Sequence, residues 1–264
     1  MSFNRVRGQL KCESFMGCSD LQQWANYKTR FESLCLSKEQ AEELQSDLNQ
    51  DALDCYFKGL LSFSEAINSI NRNLFSWSTV KLYYSVFYFL KCSLAVNGYA
   101  LVTNKSLYLI KANENEKPNK VPERNSHEAI IETYVRYFSR VDVLQSNMIG
   151  TDNAYIWLKG KREQVNYRER EFHEPECPVF WQNIRDRIKG DSLKSLLELY
   201  LEDQDYRYCF QEDHACLALP IKRAIDTKKD LDSKKLEISL SEHKKTVLQS
   251  LLGQSFNLSL FLVN

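Results

Sequence analysis

The stretch Ser76-Trp77-Ser78-Thr79-Val80-Lys81-Leu82-Tyr83-Tyr84-Ser85-Val86-Phe87-Tyr88-Phe89-Leu90-Lys91-Cys92-Ser93-Leu94-Ala95-Val96-Asn97-Gly98 decides the fold class. Its apolar residues fall on two helical stripes. One holds Val80, Tyr84, Phe87 and Leu94, the other Tyr83, Val86 and Leu90. A helix apolar on two sides packs between other helices or at a subunit contact. Ser76 is suited to cap its start and Gly98 to the left-handed position that ends it. Lys81, Lys91 and Asn97 interrupt the run, so it reads as a buried helix and not as a membrane span.

The same period continues on both sides. Ser37-Lys38-Glu39-Gln40 is a capping box opening a helix towards Asn71, with a break expected near Gln50 or Gly59. An earlier helix is expected over Leu21 to Cys35. Lys111 to Asn125 carries two of the five prolines and little to bury, so it reads as a loop. Ser126 then caps a helix with Ile130, Ile131, Tyr134, Val135, Phe138 and Val141 on its inner face. Another runs from about Ala154 through Trp157, Leu158, Val165 and Phe172, stopping before Pro175 and Pro178. Helical patterns follow from Phe180, from Ser192 to Glu202, through Pro220 to Asp232, and from Ser239 or Ser241 to Phe261.

Composition agrees with an all-α chain. Of 264 residues only 8 are Gly and 5 Pro. That scarcity disfavours strand-rich sandwiches and glycine-looped nucleotide folds. The expected layout is an N-terminal extension plus helical bundle over 1–178 and a C-terminal helical extension over 179–264. The 35 basic and 35 acidic residues leave no net charge, so any grip on nucleic acid has to be local. Met1 to Asp20 has no apolar run of the secretory kind. Together with eight cysteines that form no CxxC pair, this points to a reducing, cytoplasmic setting. Cys209, His214 and Cys216, with His173 and Cys177 upstream, match no zinc-finger spacing. The motifs of common NTPases, Rossmann enzymes, serine hydrolases and zincins do not occur. No metal or other cofactor is expected.

The polar constellation that stands out is Arg162-Glu163-Gln164-Val165-Asn166-Tyr167-Arg168-Glu169-Arg170-Glu171-Phe172-His173. On a straight helix Arg168 and His173 lie about 140° apart, whereas Arg162, Asn166, Arg170 and His173 share one stripe. Either the last turn unwinds before Pro175 and brings His173 towards Arg168, or Arg170 and Asn166 are its neighbours. Taken alone, Arg168 to Glu171 also fits a solvated charged face, with His173 a cation at a helix C-terminus. His127 reads as a first-turn surface residue. The aromatics of 83–89 read as core or subunit interface, and the lysine pairs after Asp226 as solvated surface.

Arg168-x4-His173, together with Tyr83-Tyr84-Ser85-Val86-Phe87-Tyr88 leading to Gly98 and with Ser126-His127 after the loop, resembles the HEPN family over roughly residues 50 to 175. Members of that family are helical bundles, and many are metal-independent ribonucleases that dimerise through the helices bearing the motif. The resemblance implies a homodimeric RNA-cleaving effector of a bacterial anti-phage or toxin–antitoxin system. Arg168 and His173 are then catalytic, and Arg162, Asn166 and Arg170 bind the RNA. Histidine titrates near neutrality and can move a proton, while arginine offers a permanent fork of donors to phosphate. One departure is Glu169, which stands where the family has a small polar residue and is expected to offset the charge of Arg168. It favours the alternative reading: a non-catalytic HEPN-like subunit that assembles with a partner such as an ATPase or antitoxin.

Overall fold

The computed structural model describes residues 6–122 and 125–262. The chain is mostly helical, as composition implies, with ten α-helices among the described residues. They are α1 (Arg7–Phe15), α2 (Lys28–Glu32), α3 (Lys38–Ile70), α4 (Phe75–Val96), α5 (Ser126–Phe138), α6 (Ala154–Glu163), α7 (Gln182–Gly190), α8 (Leu193–Glu202), α9 (Glu212–Ser233) and α10 (Glu242–Leu252). Two compact units divide the chain. One comprises Met1–Tyr56 with Leu90–Tyr134, the other Phe57–Phe89 with Val135–Asn264. The residues before and after Pro175 and Pro178 therefore belong to the same unit.

The first unit corrects the purely helical expectation. After Gly98, at φ +82°, strands β1 (Tyr99–Asn104) and β2 (Ser106–Lys111) pair antiparallel around Lys105, at φ +56°. The short strand β3 (Asn119–Lys120) adds to β2 inside the stretch expected to be loop. The sequence signal is the alternation Ala100-x-Val102-x-Asn104, buried at every second residue. It is easily overlooked directly after a long apolar helix. The outer edge of β1 is closed by side chains: Gln9 exchanges hydrogen bonds with Thr103 N (2.8 Å) and O (3.3 Å), and Trp24 Nε1 donates to Thr103 O at 2.6 Å. An occupied edge cannot recruit a further strand. Tyr108 on β2 packs edge-on to Phe31 and donates its phenol to Glu32 at 2.6 Å, and burial pushes that phenol up to about 12.

Helix α3 runs unbroken for 33 residues, without the expected break at Gln50 or Gly59. Its capping box forms, with Ser37 N donating to Gln40 Oε1 at 3.0 Å and Gln40 N to Ser37 Oγ at 3.2 Å. Gly59 lies in the second unit and is required by packing. A Cβ there would stand 2.5 Å from the Phe89 ring, and Ser85 Oγ donates to the Gly59 carbonyl at 2.9 Å. The core of this unit includes Trp181, tilted on Phe75 and donating to Thr79 Oγ1 at 2.8 Å, and the Phe63, Phe256 and Phe261 cluster. Helix α9 is buried along most of its length from His214 to Ala224, Pro220 included.

Two helix starts differ from the sequence reading. Asn125, not Ser126, caps α5 by accepting from Glu128 N at 2.8 Å. Helix α4 begins at Phe75, and the free amides of Ser76 and Trp77 donate to the Glu174 carboxylate at 2.7 and 3.2 Å. The cap of α4 thus comes from a residue 98 positions further on, so local sequence could not show it. No helix among the described residues is long and apolar enough to cross a membrane.

Candidate functional site

The constellation from Arg162 to His173 does not lie on one helix. Helix α6 ends at Glu163, and a π-helical turn follows over Gln164–Arg168, with Glu169 N donating to Gln164 O at 3.0 Å. Glu169 is already extended (φ −83°, ψ 143°). The expected stripe of Arg162, Asn166, Arg170 and His173 therefore does not form, because three of its four members lie in or beyond the turn. Side-chain bonds across five residues fit this wider turn: Arg162 Nη2 donates to Tyr167 Oη at 3.0 Å, and Gln164 Nε2 to Glu169 Oε1 at 2.8 Å. Turns of this kind often occur at functional sites.

The unwinding does not join Arg168 to His173 by any hydrogen bond or ion pair; each has a carboxylate of its own. Arg168 Nη2 lies 3.5 Å from Glu163 Oε2, with the arginine side chain 71% exposed. His173 Nε2 lies 2.9 Å from Glu169 Oε2, with the histidine side chain 41% exposed. The expectation that Glu169 offsets Arg168 is thus corrected. The extended backbone at Glu169 turns its carboxylate to Gln164 and His173 instead. Glu169 Oε2 accepts no well-aligned hydrogen bond, leaving it a lone pair for a proton on His173.

His173 is held from the backbone side as well. Its amide donates to Ser76 Oγ at 3.2 Å, the next residue caps α4, and the preceding Phe172 ring lies 5.9 Å from Trp77. Arg170 is exposed and makes no ion pair among the described residues; Asn166 is half-buried and makes no side-chain hydrogen bond. Arg162 lies over the rings of Tyr83 (5.2 Å), Tyr84 (5.8 Å) and Tyr167 (4.8 Å), while its Nε is buried without a partner. Burial pushes the Tyr83 phenol above its usual range, with the Arg162 guanidinium pulling the other way.

Comparison with family models, with curated proteins and with solved structures gives no match. The site stands on its own geometry.

Sequence reasoning missed the partners of Arg168, His173 and the start of α4. Glu169 as the carboxylate behind His173, Glu163 as the counter-ion of Arg168 and Glu174 as the clamp on α4 were all outside it. Only the first left a trace, four residues before His173, and in a helix that spacing would have implied a surface pair. Further along, Cys209, His214 and Cys216 form no metal cluster; no group of three potential ligands occurs among the described residues. His214 Nδ1 instead pairs with Tyr200 Oη at 2.7 Å.

Proposed function

We propose that this chain is a HEPN-like, metal-independent endoribonuclease whose proton-transfer group is His173. The observation that carries the reading is the contact of the exposed His173 imidazole with Glu169. A carboxylate beside one ring nitrogen stabilises the imidazolium that forms when the other takes a proton. In this mechanism Nδ1 removes the proton of a 2′-hydroxyl. That oxygen attacks the adjacent phosphorus, and the 5′-oxygen leaves with a proton supplied by a second group. Arg168 and Arg170, both exposed, are the donors for the phosphoryl oxygens. One chain offers one such histidine, and a two-fold dimer supplies the second. The setting that fits is a bacterial anti-phage or toxin–antitoxin system, with RNA as the substrate.

The test is cleavage of labelled RNA in excess chelator by the purified protein and by His173→Ala. A loss of about 10²- to 10⁴-fold is expected. Cleavage that survives the substitution unchanged removes the assignment.

A second reading has one specific observation in its favour. Tyr137, Val141, Val143 and Met148 are exposed large apolar residues close together in the chain. Exposed apolar side chains suit contact with a partner protein, which a non-catalytic subunit of a defence complex would make. Absence of cleavage by the unsubstituted dimer, with stable co-purification of an ATPase partner, would favour it over the first.

A further inference from the structure

Helix α4 carries Trp77, Lys81, Tyr84 and Tyr88 at i, i+4, i+7 and i+11, one stripe of an α-helix. All four are exposed or half-buried, whereas Leu82, Tyr83, Val86, Phe87 and Phe89 between them are buried. The aromatic run expected as core or subunit interface is therefore split, with Tyr84 and Tyr88 half-buried.

Each ring of the stripe has a cation beside it. Lys81 Nζ lies 5.8 Å from the Trp77 ring, the Arg162 guanidinium 5.8 Å from Tyr84, and Lys58 Nζ 5.9 Å from Tyr88. Lys81 is held by Glu65 at 3.0 Å, but Lys58 and Arg162 form no ion pair among the described residues. The stripe is positive as well as aromatic. From Trp77 to Tyr88 it measures about 16 Å, since the helix rises about 1.5 Å per residue. One end abuts the candidate site, where Ser76 accepts from His173 N and Trp77 meets Phe172.

Rings alternating with cations along a line match the repeat of an unpaired nucleic-acid strand, which offers a π-face and a negative charge at every nucleotide. A duplex hides its base faces. A helical protein partner would call for aliphatic side chains in place of Lys58, Lys81 and Arg162. We propose that this face of α4 is a binding track for single-stranded RNA, about five nucleotides long, leading to His173. The length follows from roughly 3.4 Å per stacked base. The inference rests on the reading of His173 as the reactive centre and names the form of RNA that reaches it.

The test uses the full chain carrying His173→Ala, so that binding is read without cleavage. A fluorescein-labelled oligouridylate is followed by anisotropy across a salt series. Adding Tyr88→Ala weakens binding about 5- to 150-fold, the range of one lost stacking contact, and leaves the salt dependence unchanged. Tyr88→Phe restores it, which separates stacking from misfolding. Lys58→Ala lowers the slope of log affinity against log salt by about 0.7, one phosphate contact on a single strand. A duplex of equal length binds at least about tenfold more weakly.

Affinities unchanged by Tyr88→Ala and Lys58→Ala overturn the track, as does duplex binding equal to that of the single strand. Dissociation of an RNA-free dimer by Tyr88→Ala also overturns it and makes the face an interface between copies. The two readings fail separately. Track-dependent binding by a protein that never cleaves removes the ribonuclease and keeps the track. Cleavage abolished by His173→Ala, with binding indifferent to Tyr88 and Lys58, does the reverse.

Discussion

His214 and His173 lie in the same compact unit in opposite surroundings. His214 is 3% exposed on α9, with the rings of Tyr200 and Tyr208 at 5.7 and 4.9 Å. Burial pushes the Tyr200 phenol up and the His214 imidazole down. Both groups are thereby favoured in their neutral forms, and Tyr200 Oη and His214 Nδ1 share a hydrogen bond of 2.7 Å whose direction follows the imidazole tautomer. His173 is exposed on an irregular segment and faces a carboxylate. Two arginines repeat the contrast. Arg223 is buried, paired with Asp142 at 3.4 Å and Asp230 at 3.2 Å, and donates to Thr227. Arg168 meets one carboxylate at 3.5 Å and is otherwise open to solvent. Polar groups with every valence met inside the protein hold the fold, whereas those with spare valences facing solvent can serve a ligand.

Exchanging residues across this contrast gives effects that fall in order. Arg223→Ala strands the buried Asp142 carboxylate, beside which Tyr155 donates its phenol. It should lower unfolding free energy in urea by about 3–5 kcal/mol, while Arg168→Ala stays within about 0.5 kcal/mol. Equal costs for the two would erase the distinction. His173→Ala should leave that free energy within about 0.5 kcal/mol of the parent while removing RNA cleavage. A large loss of stability would instead make His173 a structural residue.

Glu174→Ala removes the carboxylate that caps α4 and should cost about 1 kcal/mol by the same denaturation measurement. Because the adjacent residue is His173, cleavage should fall with it; full retention of activity would show that the clamp does not position the imidazole.

The smallest effect is the pH dependence from His214. Its folded pKa lies below the unfolded value of about 6.5, so the unfolded chain binds more protons as pH falls through that value. Stability from the neutral ring is complete above about pH 6.5 and declines below it, down to the depressed folded pKa. His214→Gln should flatten this decline when melting temperature is followed from about pH 7 to pH 5. An unchanged profile would assign the acid sensitivity elsewhere.

Much of the helical architecture is written locally. The Ser37 capping box, the Ser192 cap of α8 and the glycine after α4 each act within a few residues, so each can be read from spacing alone. The spacing of Arg168 and His173 is also visible locally, but not that each meets a different carboxylate. The hairpin of 99–111 was obscured because its short alternation follows a far stronger helical signal. Its edge is closed by Gln9 and Trp24, distant residues that no local pattern announces.

The sequence by itself determined a mostly helical chain without net charge, because periodicity, caps and composition are short-range properties. Only the tertiary structure decided which carboxylate serves which cation. The π-turn at Gln164–Arg168 sends Glu169 to His173 and leaves Arg168 to Glu163, and the segment after it brings Glu174 to the start of α4. Those pairings depend on where the chain turns and on what packs beneath it, and a hydrogen bond spanning almost a hundred residues leaves no mark in the spacing of its neighbours.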